Sequence, residues 1–231
     1  MTLTARIILW SDARCYVQGF TGAMSNTKSF PDQIAAAQMP TYRLLSALAV
    51  TTGALWTVGI TLIGTQADTD PVGAGYDAAN RALTLPLLLL VGYTAVLRRV
   101  PPGGSRTGVL AMTVGIVLLL AGNVLEFWAV LLTDLHTEKT ALRLGETEAF
   151  WGSLAGWMTF LVGVLVTVLA AGLMARAIGG LRGAVMVTLA ILGLAATALW
   201  AVSPLLAGAA ALAFAGWLIL LSSPSSSDVS R

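Results

Sequence analysis

Asn123 and Glu126 stand three positions apart in the stretch GNVLEFW, inside an otherwise apolar run. In a helix that spacing puts both side chains on one face. An ionised carboxylate inside hydrocarbon costs about 2.5–3.5 kcal/mol on insertion scales, so it faces other helices or a wet crevice or is protonated, and it serves either as a structural contact or as a site for a cation or proton. Two chemistries follow. As a latch, Glu126 would pair with Arg81, Lys139 or Arg143, or accept hydrogen bonds from Thr57, Thr61 and Trp56, or from Thr159 and Trp157. As a binding site, Glu126 with Asn123, Trp56, Trp128 and Trp157 would form an anionic, aromatic pocket suited to a cation or protonated amine. Trp128, Phe150, Trp151, Trp157 and Trp200 also read as an interfacial aromatic belt, which needs no ligand.

The rest of the inventory removes most other chemistry. A single histidine, His136, excludes a bis-histidine haem and any histidine-rich metal cluster, and a single cysteine, Cys15, leaves no internal disulfide or cysteine metal site. The lysines, Lys28 and Lys139, lie in polar flanks, which excludes a buried retinal Schiff base. Intramembrane proteolysis has no nucleophile or metal motif here, and paired-acid metal motifs are absent from the sequence, so the expectation is a protein that is not an enzyme, with no cofactor and no metal. The glycine-rich RRVPPGGSRTG lacks the lysine and context of a phosphate loop. Asp68, Asp70 and Asp77 lack EF-hand spacing and read as a solvated acidic loop. A net charge of +2 with scattered basic residues gives no nucleic-acid surface.

These residues need elements to carry them. The chain of 231 residues is 57% hydrophobic and 10% charged, with a mean hydropathy of +0.83, well outside the range of soluble domains. Hydrocarbon about 30 Å thick takes about 20 helical residues to cross. Six runs qualify, at 44–64, 82–97, 108–133, 150–175, 183–202 and 204–221. Lipid leaves open backbone groups unsatisfied and the runs lack period-two alternation, so the fold expected is all-α, a polytopic integral membrane protein of six transmembrane helices. Glu126 would then lie about 10 Å below Asp134.

Arg43, Arg98, Arg99, Arg106, Arg176, Arg182 and Arg231 flank one set of helix ends, whereas acids predominate at the other. The positive-inside rule therefore predicts both termini in the cytoplasm and the plasma membrane as location. Residues 65–81 read as a small, acidic outer loop, and 134–148 as a second one with a short surface helix. Residues 1–42 read as a poorly ordered cytoplasmic segment or a misassigned start, with Met24 or Met39 as the natural N-terminus; 43–222 form the bundle, and 223–231 a disordered tail. Ser203 and Pro204 predict a tight hairpin between runs five and six, and Gly179 and Gly180 a stop between runs four and five.

Gly152, Gly156 and Gly163 make a groove for a close helix neighbour, within the chain or in a second copy. GNVLEFW, followed by an outer loop and FWGSLAGWMTFLVG, resembles a pattern in uncharacterised bacterial multi-pass membrane proteins. The resemblance covers runs three and four, implies six helices without catalysis, and adds no site residue beyond Asn123 and Glu126. The functional expectation is a non-catalytic accessory, scaffold or sensor component whose partners are the lipid bilayer and either a second copy or other membrane proteins. The alternative is a small cation- or proton-coupled transporter or channel using Glu126.

Overall fold

A computed structural model describes residues 30–69, 74–100, 105–128, 148–199 and 202–223. These residues are helical and contain no strand. The helices are α1 (Phe30–Thr69), α2 (Ala74–Ala82), α3 (Thr84–Leu97), α4 (Arg106–Phe127), α5 (Glu148–Ile178), α6 (Gly180–Leu199) and α7 (Pro204–Ser222). Six of the described spans are long and apolar enough to cross a membrane, with α2 and α3 counted as one span, Gly75–Leu97. Residues 37–231 cluster as one compact unit, and 30–36 belong to the first turns of α1. The expected N-terminal segment before residue 30, the second outer loop, and the tail beyond Ser223 lie outside the described residues.

Several boundaries differ from those expected. α1 begins at Phe30 rather than near residue 44, with its membrane-crossing part from Met39 to Ala67. α4 ends at Phe127 with Trp128 as C-cap, six residues before the end of the apolar run, which moves Glu126 into the last helical turn. The segment 65–81, expected as a flexible acidic loop, is mostly helical: α1 continues to Thr69 and α2 starts at Ala74. Its low hydropathy hid an amphipathic pattern. Tyr76, Asp77, Ala79, Asn80 and Leu83 are buried or half-buried at helical spacing, with Asp77 in the first turn and Arg81 in the last, where each suits the helix dipole.

Small residues set the packing. α4 carries Gly108, Gly115 and Gly122 at seven-residue intervals, and α5 answers with Gly156, Gly163 and Ala170 at the same interval. A strict seven-residue seam keeps one face of a helix turned to its partner in a left-handed pair. A Cβ on Gly122 would lie 2.5 Å from the Phe160 nitrogen, one on Gly163 2.6 Å from the Leu119 nitrogen, and one on Gly156 2.8 Å from the Glu126 nitrogen. The backbones of α4 and α5 are thus in direct contact. Gly156 and Gly163 of the expected groove serve this intramolecular seam; Gly152 lies in the opening turns of α5, where only the course of the backbone is described.

α7 packs on α1 in the same manner. Gly53 meets Ala215, Gly208 meets Thr61 and Gly64 meets Pro204, while Ala207 and Ala211 are fully buried. Between these contacts Trp56 stacks on Phe214 at 5.0 Å, and Phe214 on Trp217 at 5.4 Å, giving a buried aromatic column. The turns match their residues. Ser203 is the N-cap of α7 with Pro204 behind it, and its hydroxyl accepts from the Leu206 nitrogen. Gly179 and Gly180, at φ +71° and +58°, separate α5 from α6 in a conformation that costs other L-residues.

Gly122→Ala is expected to lower the melting temperature in detergent, with a loss of about 1–3 kcal/mol typical of overpacking, because the atom met is backbone and the helices must separate. Gly92→Ala meets nothing within 4 Å and should be neutral or gain up to about 1 kcal/mol from helix propensity. Equal melting temperatures for the two variants would contradict the seam.

Candidate functional site

α3 contains Pro86, which has no N–H to give to the carbonyl four residues back and crowds it. The helix opens there into a turn at Leu83, whose nitrogen bonds to the Asn80 carbonyl at 3.2 Å. Inside a membrane such an opening is tolerated where neighbouring groups satisfy the freed backbone. Asn123 of α4 braces both sides of this turn. Its Nδ2 donates to the Asn80 carbonyl at 3.0 Å, and its Oδ1 accepts from the Thr84 hydroxyl at 2.8 Å. The Thr84 oxygen in turn accepts from the Trp128 indole at 2.8 Å. Asn123 is 2% exposed.

A second contact joins the same elements. Arg81 Nε donates to the Phe127 carbonyl at 2.9 Å, so a guanidinium caps the negative C-terminal end of α4. Its Nη2 lies 3.7 Å from Asp77 Oδ2, whose side chain is 4% exposed. Arg81 therefore joins α2 to α4 through the main chain of Phe127, whereas the latch weighed from sequence paired it with the Glu126 carboxylate. Asp77, expected in solvent, is buried in this contact. Among the described residues no group of three or more metal-type side chains comes together.

Next to this joint lies a cavity walled by Ile60 and Ile63 of α1, Tyr76 and Asn80 of α2, Leu83, Asn123, Glu126 and Phe127 of α4, and Trp157, Phe160 and Thr197, with Gly122 and Gly156 at the seam. Its volume is ≈ 40 Å³, and one water needs about 10–15 Å³, so about three waters or one small cation fit. Three polar side chains of the cavity wall are engaged in the fold. Asn80 Nδ2 donates to the Tyr76 carbonyl at 2.9 Å, Thr197 Oγ1 to the Leu194 carbonyl at 2.7 Å, and both arms of Asn123 hold the helix break. Glu126 is half-buried, with its backbone pressed against Gly156.

Of the expected pocket, Glu126, Asn123 and Trp157 share this cavity, and Trp157 keeps 40% of its surface exposed. Trp56 does not join them; it is buried against Phe214 in the column between α1 and α7. Trp128 bonds to Thr84 and is not in the cavity wall. Thr57, Thr61 and Thr159, weighed as donors to Glu126, each donate to their own helix carbonyls. Lys139 and Arg143 lie outside the described residues. Sequence reasoning missed Tyr76, Asn80, Phe127, Phe160 and Thr197, and the buried spacing of Tyr76, Asn80 and Leu83 was the available signal for the first two.

The polar joint carries a prediction. Asn123→Ala leaves the Thr84 hydroxyl and the Asn80 carbonyl to find other partners, and should destabilise the protein by about 1–3 kcal/mol. Thr84→Val removes a single network hydroxyl and should cost about 0.6–1.7 kcal/mol, the range of hydrogen bonds between membrane helices. The double variant should fall short of the sum, because the two side chains share one bond. Additive losses in a detergent melting series would refute the shared network. Compared with protein-family models, curated proteins and solved structures, the chain has no match, so the geometry of the joint and cavity carries the functional argument.

Proposed function

We propose that this is a non-catalytic multi-pass protein of the plasma membrane, both termini cytoplasmic, that acts as an accessory or sensor component by holding a small monovalent cation beside Glu126. The carrying observation is the small cavity with a carboxylate in an aromatic and aliphatic wall. Electrostatics favours a cation there, because Glu126 sits in a low-dielectric region, where an uncompensated anion is expensive, while the dipole of α4 is already offset by Arg81 at the Phe127 carbonyl. Tyr76, Phe127, Trp157 and Phe160 line the cavity with aromatic rings, whose faces suit an ammonium group. The volume favours ammonium, methylammonium or an alkali ion over larger solutes.

A second reading, cation-coupled transport, draws support from the broken helix. Discontinuous helices beside a cavity are the usual construction of secondary-transporter sites, and the α2–α3 opening adjoins this one. One experiment separates the readings. Calorimetric titration of the detergent-solubilised protein with methylammonium chloride should give binding that Glu126→Gln weakens by about tenfold or more, the worth of a charge-assisted hydrogen bond. Proteoliposomes should take up no methylammonium under the sensor reading, whereas uptake abolished by Glu126→Gln would establish transport. Absence of binding by the intact protein, or equal binding by the variant, would overturn both.

A further inference from the structure

An alkali ion that leaves water needs its hydration shell replaced by several oxygen ligands. An ammonium group needs a few acceptors along its N–H directions and is attracted to ring faces elsewhere. The wall around the Glu126 cavity is poor in oxygens for a shell. The Asn80 carbonyl already accepts from the Leu83 nitrogen at 3.2 Å and from Asn123 Nδ2 at 3.0 Å. The Phe127 carbonyl accepts from Arg81 Nε, and Asn123 Oδ1 accepts from the Thr84 hydroxyl. These oxygens hold the α2–α4 joint.

Thr197 is placed differently. It is the residue that α6 contributes to the cavity wall, and it is half-buried. A hydroxyl has one hydrogen and two lone pairs. Thr197 gives its hydrogen to the Leu194 carbonyl at 2.7 Å, so its oxygen offers lone pairs alone. An occupant that meets this oxygen therefore has to donate to it or carry positive charge. The bond itself is ordinary for threonine in a helix. Thr188 on the same helix makes one like it to the Ala184 carbonyl at 3.0 Å, but Thr188 is exposed and stands outside the cavity wall. Position, and not the bond, sets Thr197 apart.

Much of the remaining wall is aromatic. Tyr76 and Phe127 meet edge to face, with centroids 6.2 Å apart and planes at 71°, so the ring that presents its edge keeps its faces for another neighbour. A cavity of ≈ 40 Å³ has room for about three waters, so a cation that fills it meets more than one wall. A carboxylate, a hydroxyl oxygen that only accepts, and aromatic rings match a group with directed N–H donors better than an ion that needs a full oxygen shell. We propose that the cavity selects ammonium and methylammonium over sodium and potassium, with Thr197 Oγ1 accepting an N–H of the cation whose charge Glu126 balances. The selection rests on the reading of Glu126 as a cation site.

The test is calorimetric titration of the full chain in detergent with methylammonium chloride, sodium chloride and potassium chloride at one ionic strength. The intact protein should bind methylammonium at least about tenfold more tightly than either alkali ion. Thr197→Val keeps the shape and removes the oxygen, and should weaken methylammonium binding about tenfold, the smaller effect expected of a hydrogen bond to a charged group. Thr197→Ser keeps the hydroxyl and should keep the affinity, and Thr188→Val should leave it unchanged. Sodium or potassium binding as tightly as methylammonium would overturn the selection while leaving a cation site at Glu126. So would undiminished methylammonium binding by Thr197→Val, or binding by Thr197→Ser as weak as by Thr197→Val. If the intact protein binds none of the three ions, the cation site and the selection both fall.

Discussion

Backbone contact between α4 and α5 is the constraint on which the other features depend. Between transmembrane helices the surrounding lipid is as apolar as the side chains, so association rests on close van der Waals packing and interhelical bonds more than on the hydrophobic effect. Glycines spaced by seven on α4, answered by small residues on α5, bring the two main chains together along almost their full length. That contact fixes depth as well as distance. It seats Glu126 against Gly156, brings Trp157 and Phe160 to the same cavity wall, and sets Arg106 level with Arg176 at the far end.

A second constraint follows from the absence of water in hydrocarbon. Pro86 interrupts the helix that enters as α2 and continues as α3, and polar groups at such a break need partners from within the protein. Asn123 braces the break from both sides, its amide nitrogen on the Asn80 carbonyl before the turn and its oxygen on the Thr84 hydroxyl after it, and Trp128 completes the chain through Thr84. Two residues with the chemistry to line a pocket are therefore largely occupied in holding a helix break. Glu126, one turn further along α4, is left as the ionisable member of the cavity wall on that helix. The division is physical: an amide can satisfy a donor and an acceptor at once, whereas a carboxylate only accepts when ionised.

The sequence made the helices legible where hydropathy is continuous, and the turns legible where residue type dictates backbone geometry, as at Ser203 with Pro204 and at Gly179 with Gly180. It hid α2, because Tyr76, Asp77, Asn80 and Arg81 are polar enough to resemble an outer loop, and their burial depends on partners contributed by α4 from more than forty residues away. The seam was half visible. GxxxG on α5 drew attention to Gly152 and Gly156, although the operative interval is seven, and Gly108, Gly115 and Gly122 on α4 complete it. Trp56 could not be placed by depth alone, since residues at one level of a bundle still face different neighbours. Only the packing of α1 on α7 turns it toward Phe214 and away from Glu126.

Charge distribution connects the two ends. Arg81 and Asp77 sit where α2 meets the end of α4, and there the guanidinium is balanced within the protein by the Asp77 carboxylate and by the negative helix terminus whose Phe127 carbonyl it caps. At the other ends of these helices Arg98 and Arg99 follow the C-terminus of α3 and Arg176 lies in the last turn of α5, where the negative dipole end offsets a cation, and Arg182 caps α7 through the Leu220 and Ser223 carbonyls, so the main chain balances charge there as it does at Phe127.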